Sequence, residues 1–257
     1  MKRGLLALAF STVLLASHAV ADAPEAEPAP EPEVGAFGLS EAPPWSEARE
    51  RLLVDVRALD EKQAPNAIFR QDIPYTRTSL ILTPEKLGGD IYDVTLADAL
   101  AWNKTGEALF EIALENLVRK HPPIVRETLI NGVSITLLYS NEPYGASYAV
   151  EVESNSRCTG KKGALVAIPT PYATLCYPVD SKLAGVAYDA IQDLAVGVVQ
   201  TGDVPLAPFV FWVYRDHWDT QPLAVREGTL LSSPSVAFQR VLKELEREAA
   251  NPRNRRW

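Results

Sequence analysis

The chain has 257 residues with 25 Lys and Arg against 33 Asp and Glu, a formal net charge of −8 at pH 7. That sign argues against a nucleic-acid partner, because phosphate binding needs a basic surface. Only three histidines and two cysteines are present, too few for a cysteine-rich scaffold or a multi-ligand metal centre.

Met1 to Ala21 carries Lys2 and Arg3, an apolar run from Leu5 to Leu15, and the small residues Ala19 and Ala21 around Val20. This is the layout of a secretory signal cleaved after Ala21. The apolar run is too short for a membrane span of about 20 residues, and no cysteine follows the small residues to take a lipid. The expected address is therefore periplasmic or secreted. Cleavage removes Lys2 and Arg3, leaving 23 basic against 33 acidic residues and a net charge of −10. Residues 22–44 hold six prolines and six acids but no Lys or Arg, a composition that cannot build a core and reads as a disordered linker. From Trp45 to Trp257 no second linker and no internal repeat interrupts the chain, so one domain is expected.

Within that domain, Trp45, Ala48, Leu52, Val56 and Leu59 share one helical face, which predicts an amphipathic helix over 45–59 that flanks the core. Short strands are expected at 67–70, at 78–82 and, after Gly88 and Gly89, at 91–94. Thr95 with Asp98 spells a capping box for a short helix ending near Trp102. The strongest helix is 105–120, capped by Thr105, with Leu109, Ile112, Ala113 and Leu117 as its apolar stripe, widened by Phe110, Leu114 and Val118. Asn116 lies at the edge of that stripe and reads as an amide bonded to backbone.

After Pro122 and Pro123 the period changes to two. Val133 to Tyr139 predicts a strand that pairs back on 128–130 through Asn131-Gly132, a pair favouring a tight primed turn. Tyr148, Val150 and Val152 alternate with carboxylates and predict a second strand at 149–153, giving antiparallel sheet with one wet face. Gly160 to Gly163 turns the chain into a central strand at 164–168, ended by Pro169 and Pro171, and 174–177 returns beside it. Leu183 to Val198 is the second periodic helix, closed by Gly202. A strand at 209–214 and a last helix carrying Phe238, Val241, Leu242 and Leu245 complete the domain, before a basic end at Arg253, Arg255, Arg256 and Trp257. The fold class is α+β, with five to seven mainly antiparallel strands, helices 105–120 and 182–200 on one face, and terminal helices flanking.

Chemistry-bearing motifs are sparse. The histidines outside the signal, His121 and His217, are far apart and no H-E-x-x-H occurs, so no metal is expected. No G-x-S-x-G elbow, G-x-x-x-x-G-K phosphate loop or G-x-G-x-x-G turn is present, and no cofactor is implied. The one local cluster is Asp216, His217, Trp218 and Asp219, where a strand ends in a polar turn. It is a candidate binding site for a sugar, a cation or a peptide. Cys158 and Cys176 are expected to form a disulfide in an exported chain. In this reading Cys158 sits in the loop joining strands 149–153 and 164–168, and the return of 174–177 brings Cys176 to the same end. Two functions remain open. One is a non-catalytic binding or scaffolding domain for a protein or envelope component. The other is a hydrolase or transferase using dispersed carboxylates or the Asp216/His217/Asp219 turn.

The run LADALAWNKTGEALFEIALENL after Thr95, the Tyr148 segment, ALVAIPTPYATLCYPV and PLAPFVFWVYRDHWD occur in an order that resembles the YtpQ-like family of bacterial proteins over about residues 68–220. The shared features are a Trp before a helix ending in Ala113, Asn116 and Leu117, a strand ending at Pro169, and Pro205-Leu206-x-Pro208 before a strand. The resemblance implies an α+β domain with no assigned reaction. The chain departs from the pattern at Thr170, Pro171 and Tyr172, where the family carries a Ser-Arg-Asp-like group. It departs also in its signal, since family members are usually cytoplasmic.

Overall fold

A computed structural model describes residues 42–85, 89–200, 206–226 and 229–251. The expected signal at 1–21, the linker as far as residue 41, Gly88, Gly202, Pro205 and the basic end from Arg253 to Trp257 lie outside these residues. In chain order the elements are α1 (Trp45–Arg51), β1 (Leu52–Ala58), β2 (Phe69–Arg70), β3 (Thr76–Leu82), β4 (Tyr92–Asp93), α2 (Leu96–Ala101) and α3 (Gly106–Lys120). Then follow β5 (Ile124–Ile130), β6 (Val133–Tyr139), a 3₁₀ helix (Gly145–Ala149), β7 (Ala164–Thr170), β8 (Ala173–Pro178) and α4 (Ala184–Gln200). The chain continues through β9 (Ala207–Tyr214), β10 (His217–Thr220), β11 (Leu223–Arg226), β12 (Thr229–Ser232) and α5 (Val236–Ala250).

The fold is α+β, as expected, but its strands form two sheets and a separate ribbon. A four-stranded antiparallel sheet runs β1-β3-β2, with β4 also on β3, and a six-stranded antiparallel sheet runs β10-β9-β7-β8-β6-β5; among the described residues, β11 and β12 pair with each other alone. Alternation along β7 shows why the large sheet is covered on both faces. Ala164, Val166 and Ile168 join the core built by α3 and the small sheet, while Leu165 and Ala167 join the core of α4 and α5, with Ala187, Tyr188, Ile191 and Phe238. A continuous apolar run can bury both faces of a strand, which an alternating one cannot. The expected single wet face is therefore absent along β7, and α3 and α4 serve different sheets rather than sharing a face. Val118 is 60% exposed and does not extend the α3 stripe.

The 45–59 helix is corrected. It stops at Arg51, and Leu52–Ala58 is a strand paired along its whole length with β3, from Leu52 opposite Leu82 to Ala58 opposite Thr76. Leu52, Leu53 and Val54 are buried together, a pattern that a strand covered on both sides satisfies and a helix flanking a core does not. Asn116 enforces the change: its Nδ2 donates to the carbonyls of Arg49 (2.8 Å) and Leu52 (2.9 Å), and its Oδ1 accepts from Arg119 (2.8 Å). Those carbonyls belong to the end of α1, where intrahelical partners run out. The expected reading of Asn116 as a backbone-bonded amide holds, with this added role.

The strand expected at 149–153 is also corrected. Gly145–Ala149 is a 3₁₀ helix, fully buried, and turns follow to Ser154. The place beside β6 is taken by β8, in a register that sets Leu137 opposite Leu175 and Tyr139 opposite Ala173. Alternation alone does not reserve a slot in a sheet when another segment pairs better. Pro169 does not end β7; the strand runs on to Thr170 past a register shift between Ala167 and Thr170, an irregularity of the kind that tolerates a residue without an N–H.

Other local expectations hold. Thr95 and Asp98 form the reciprocal capping box of α2, and Thr105 caps α3 by accepting from the Ala108 N–H at 3.3 Å. Asn131 (φ 50°) and Gly132 (φ 82°) make the two-residue turn between β5 and β6; left-handed backbone at both positions is what a primed turn requires. Cys158 and Cys176 are bonded and both are fully buried. The bridge ties the turns after the 3₁₀ helix to β8; Cys176 is on the returning strand as expected, while Cys158 follows a 3₁₀ helix rather than the expected strand 149–153.

Candidate functional site

The expected 216–219 cluster is pulled apart by the strand that carries it. Arg215 (φ 53°) and Asp216 (φ 59°) are the two-residue turn of the β9–β10 hairpin, and the Glu153 carboxylate accepts from both backbone N–H groups, at 2.7 and 2.5 Å. His217 is exposed. Trp218 folds back on the core, edge-on to Phe211 with centroids 5.5 Å apart. Asp219 accepts from the Ser235 hydroxyl, and Ser235 in turn caps α5 by accepting from the Phe238 N–H at 3.0 Å. Successive strand residues point to opposite faces, so Trp218 is turned away from His217 and Asp219, and of those two Asp219 is engaged by Ser235. Glu153 and Asp219 hold a turn and a helix start.

A better-built site lies where the small sheet meets the loop before the 3₁₀ helix. Two adjoining clefts share Ile91 and Pro143. One, of about 350 Å³, is lined by Asp55, Arg57, Glu61 and Asp93, with Pro171 and Leu206. The other, of about 340 Å³, is lined by His121, Glu142, Tyr144 and Tyr172.

The first cleft is organised around one guanidinium. Arg57 Nε donates to Asp55 Oδ2 at 2.7 Å and Nη1 to Asp93 Oδ1 at 2.8 Å, while Glu61 stands 3.9 Å away. Asp93 also accepts from the Ala64 N–H at 3.1 Å, so the loop after β1 is tied to the same carboxylate. Asp55 and Arg57 are two apart on β1 and share a sheet face. Arg77, directly opposite Arg57 on β3, is buried on that face as well; its Nε and Nη2 have no hydrogen-bond partner among the described residues.

Burial pushes the Asp55 carboxyl up to about 6, because its desolvation outweighs the attraction of Arg57, and Glu61 and Asp93 push the same way. Burial opposes the Arg57 charge too, but Asp55 and Asp93 together outweigh it and raise the group above its ordinary value. Arg57 is shared between the two acids, Asp55 and Asp93. In the second cleft His121 Nδ1 lies 3.3 Å from Glu142 Oε2, and its ring meets Tyr144 edge-on at 5.4 Å. Burial, then Glu142 and Asp55, push the Tyr144 hydroxyl up to about 12.

The wall between the clefts is fixed by backbone. Ser147 Oγ donates to the Val54 carbonyl at 3.0 Å and accepts from the Val56 N–H at 3.2 Å, pinning the 3₁₀ helix to the free edge of β1. The Ser140 N–H donates to the Tyr172 carbonyl and the Ala146 N–H to the Pro171 carbonyl, both at 3.0 Å. Reading 45–59 as one helix placed Asp55 among solvated charges. The available signal was the unbroken Leu52-Leu53-Val54 run followed by charges at alternate positions 55 and 57, a strand pattern.

Among the described residues, no group of three or more His, Cys, Asp or Glu is placed to hold a metal ion, and no helix is long and apolar enough to cross a membrane. No protein-family model, curated protein or solved structure matches the chain.

Proposed function

We propose that the chain is an exported, non-catalytic binding domain that takes a positively charged group, such as an amine or the end of a basic side chain, in the cleft lined by Asp55, Glu61 and Asp93. The observation that carries this reading is the charge imbalance of a shaped cleft: among the described residues that line it, three are carboxylates and Arg57 is the one cation. The neighbouring cleft adds Glu142 and the ring of Tyr172, and an aromatic face beside carboxylates suits a cation with an apolar body. Titration with arginine amide and with spermidine, followed by amide chemical shifts, is expected to perturb Ile91, Asp93 and Tyr144. Asp93→Asn is expected to weaken the interaction about tenfold, the equivalent of about 1.4 kcal/mol. Asp55 is protonated below about pH 6, so affinity is expected to be retained above that pH and to fall as pH drops through it. Shifts confined to other surfaces at about 10 mM probe, well above a millimolar Kd, would refute the site. A probe consumed in a manner abolished by Asp55→Asn would make it catalytic instead, since a carboxyl near 6 is suited to proton transfer.

Export belongs to the same proposal. The signal layout of Met1 to Ala21 supports it, and so does the Cys158–Cys176 bridge, a bond that persists in oxidising compartments. The 22–44 linker would then hold the domain at a distance from whatever the chain's start meets. The mature protein is expected to begin at Asp22. Edman sequencing of envelope and culture fractions checks this, and a chain starting at Met1 would sink it. Kinship to YtpQ-like proteins rests on the motif order given above, and within it Trp102 and Asn116 are both buried.

A further inference from the structure

β5 is the outer strand of the six-stranded sheet, paired with β6 along its whole length. Every residue from Ile124 to Leu129 is exposed, including Ile124 (39%), Val125 (36%) and Leu129 (74%). Natural sheet edges are usually blunted by charged side chains, Lys above all, by Pro or by a covering element. The sequence IVRETLI has no Lys or Pro and only Arg126 and Glu127 as charges, and no described element covers it.

The geometry of the hairpin says which amides are free. A two-residue primed turn makes Ile130 and Val133 a hydrogen-bonded pair, and such pairs alternate along an antiparallel ladder. Residues 124, 126, 128 and 130 therefore direct their backbone groups to β6, and Val125, Glu127 and Leu129 direct theirs outward. An incoming strand would meet three N–H and three C=O groups in a row.

We infer that this edge pairs with the β5 edge of a second copy, antiparallel and centred on Glu127, so that two six-stranded sheets become one of twelve. A second copy is favoured because the strand is complementary to itself. A two-fold axis normal to a sheet pairs one residue with its own equivalent. With Glu127 at that axis, Val125 faces Leu129 of the other copy twice over, Ile124 faces Ile130, and the outward groups of 125, 127 and 129 are all used. Centring on Arg126 instead sets Arg against Arg and Val125 against Glu127. Centring on Thr128 sets Glu127 against Leu129. The favoured register has one defect, two Glu127 carboxylates face to face, and like charges directly opposite weaken a strand pair. Here the Glu127 carboxylate accepts from the Ser134 hydroxyl at 3.1 Å.

That defect supplies a discriminating test. The mature chain is examined by sedimentation velocity from about 10 µM to about 1 mM, a range that covers weak Kd values, together with amide exchange at 125, 127 and 129. Mass is expected to rise toward a dimer, with protection at those three amides rising in step. Glu127→Gln is expected to tighten the dimer several-fold, and Leu129→Lys to abolish it with the circular dichroism spectrum unchanged. A monomer throughout the range, or a dimer indifferent to Leu129→Lys, would overturn the inference. So would protection of these amides that does not depend on concentration, which would mean that another part of the same chain covers the edge. A dimer weakened by Glu127→Gln would reject this register.

Discussion

Gly145→Ala is expected to destabilise the domain by about 3 kcal/mol or more, well beyond the usual cost of a Gly to Ala change. A Cβ on Gly145 would lie 1.7 Å from the Tyr172 carbonyl oxygen and 1.9 Å from its carbon. Neither atom is the end of a movable side chain. The Tyr172 oxygen also accepts from the Ser140 N–H, and the Gly145 oxygen accepts from the Thr174 hydroxyl at 2.9 Å, so displacing either backbone breaks bonds on both sides. Buried backbone groups left without partners add about 1 to 3 kcal/mol each. Gly132 is the control. Its φ of 82° makes a side chain strained, but an added Cβ meets nothing within 4 Å, so Gly132→Ala is expected to cost only the left-handed penalty of about 1 to 2 kcal/mol. Urea unfolding of both variants separates close approach from backbone strain. Equal losses would show that Gly145 is retained for something other than the contact with Tyr172. Because Gly145 follows Tyr144 and abuts Tyr172, its variant is also expected to reshape the second cleft and weaken the proposed ligand.

Removing the Cys158–Cys176 bridge is expected to cost about 3 kcal/mol. The two residues are 18 apart in sequence, and closing a loop of that size restricts the unfolded chain by about this amount. Both cysteines are fully buried, so Cys158→Ala with Cys176→Ala leaves the surrounding core without its sulfur atoms and adds a smaller packing loss. The effect falls on the segment that Cys158 anchors to β8. Between the 3₁₀ helix and β7 the chain makes only turns, held by local bonds such as Thr159 Oγ1 to the Val152 carbonyl at 2.8 Å. Without the bridge, amide exchange is expected to quicken first in 150–159, before any change in β7. Urea midpoints that coincide with and without reductant, with the thiols of the reduced sample shown to be free, would rule the stabilisation out.

Much of the local structure was legible because its cause is local. The capping box at Thr95 and Asp98, the Thr105 cap, the Asn131-Gly132 turn and the periodicity of α3 and α4 each rest on residues within one or two turns of one another. Two misreadings came from the same source. The spacing of Trp45, Ala48, Leu52, Val56 and Leu59 satisfies a helix, and the alternation of Tyr148, Val150 and Val152 satisfies a strand, yet in each case a partner distant in sequence decided the outcome. For the first it was β3, together with the Asn116 amide on the α1 carbonyls. For the second it was β8, which occupies the edge of β6. The candidate site went unread for that reason. Asp55 looks like one more surface acid when 45–59 is drawn as a helix, whereas on β1 it is buried beside Arg57 and Asp93, 38 residues further on, completes the pair.

Composition, periodicity and the count of cysteines suffice for the fold class, the caps and turns and the pairing of Cys158 with Cys176. Composition and periodicity do not settle the division of the strands into two sheets, the separate cores of α3 and α4, or the place of Asp55 in a cleft while Trp218 packs on the core. Each of those depends on which distant segments exclude water from one another. Desolvation of a carboxylate, and the sharing of Arg57 between Asp55 and Asp93, are properties of that three-dimensional neighbourhood and of no stretch of the chain alone.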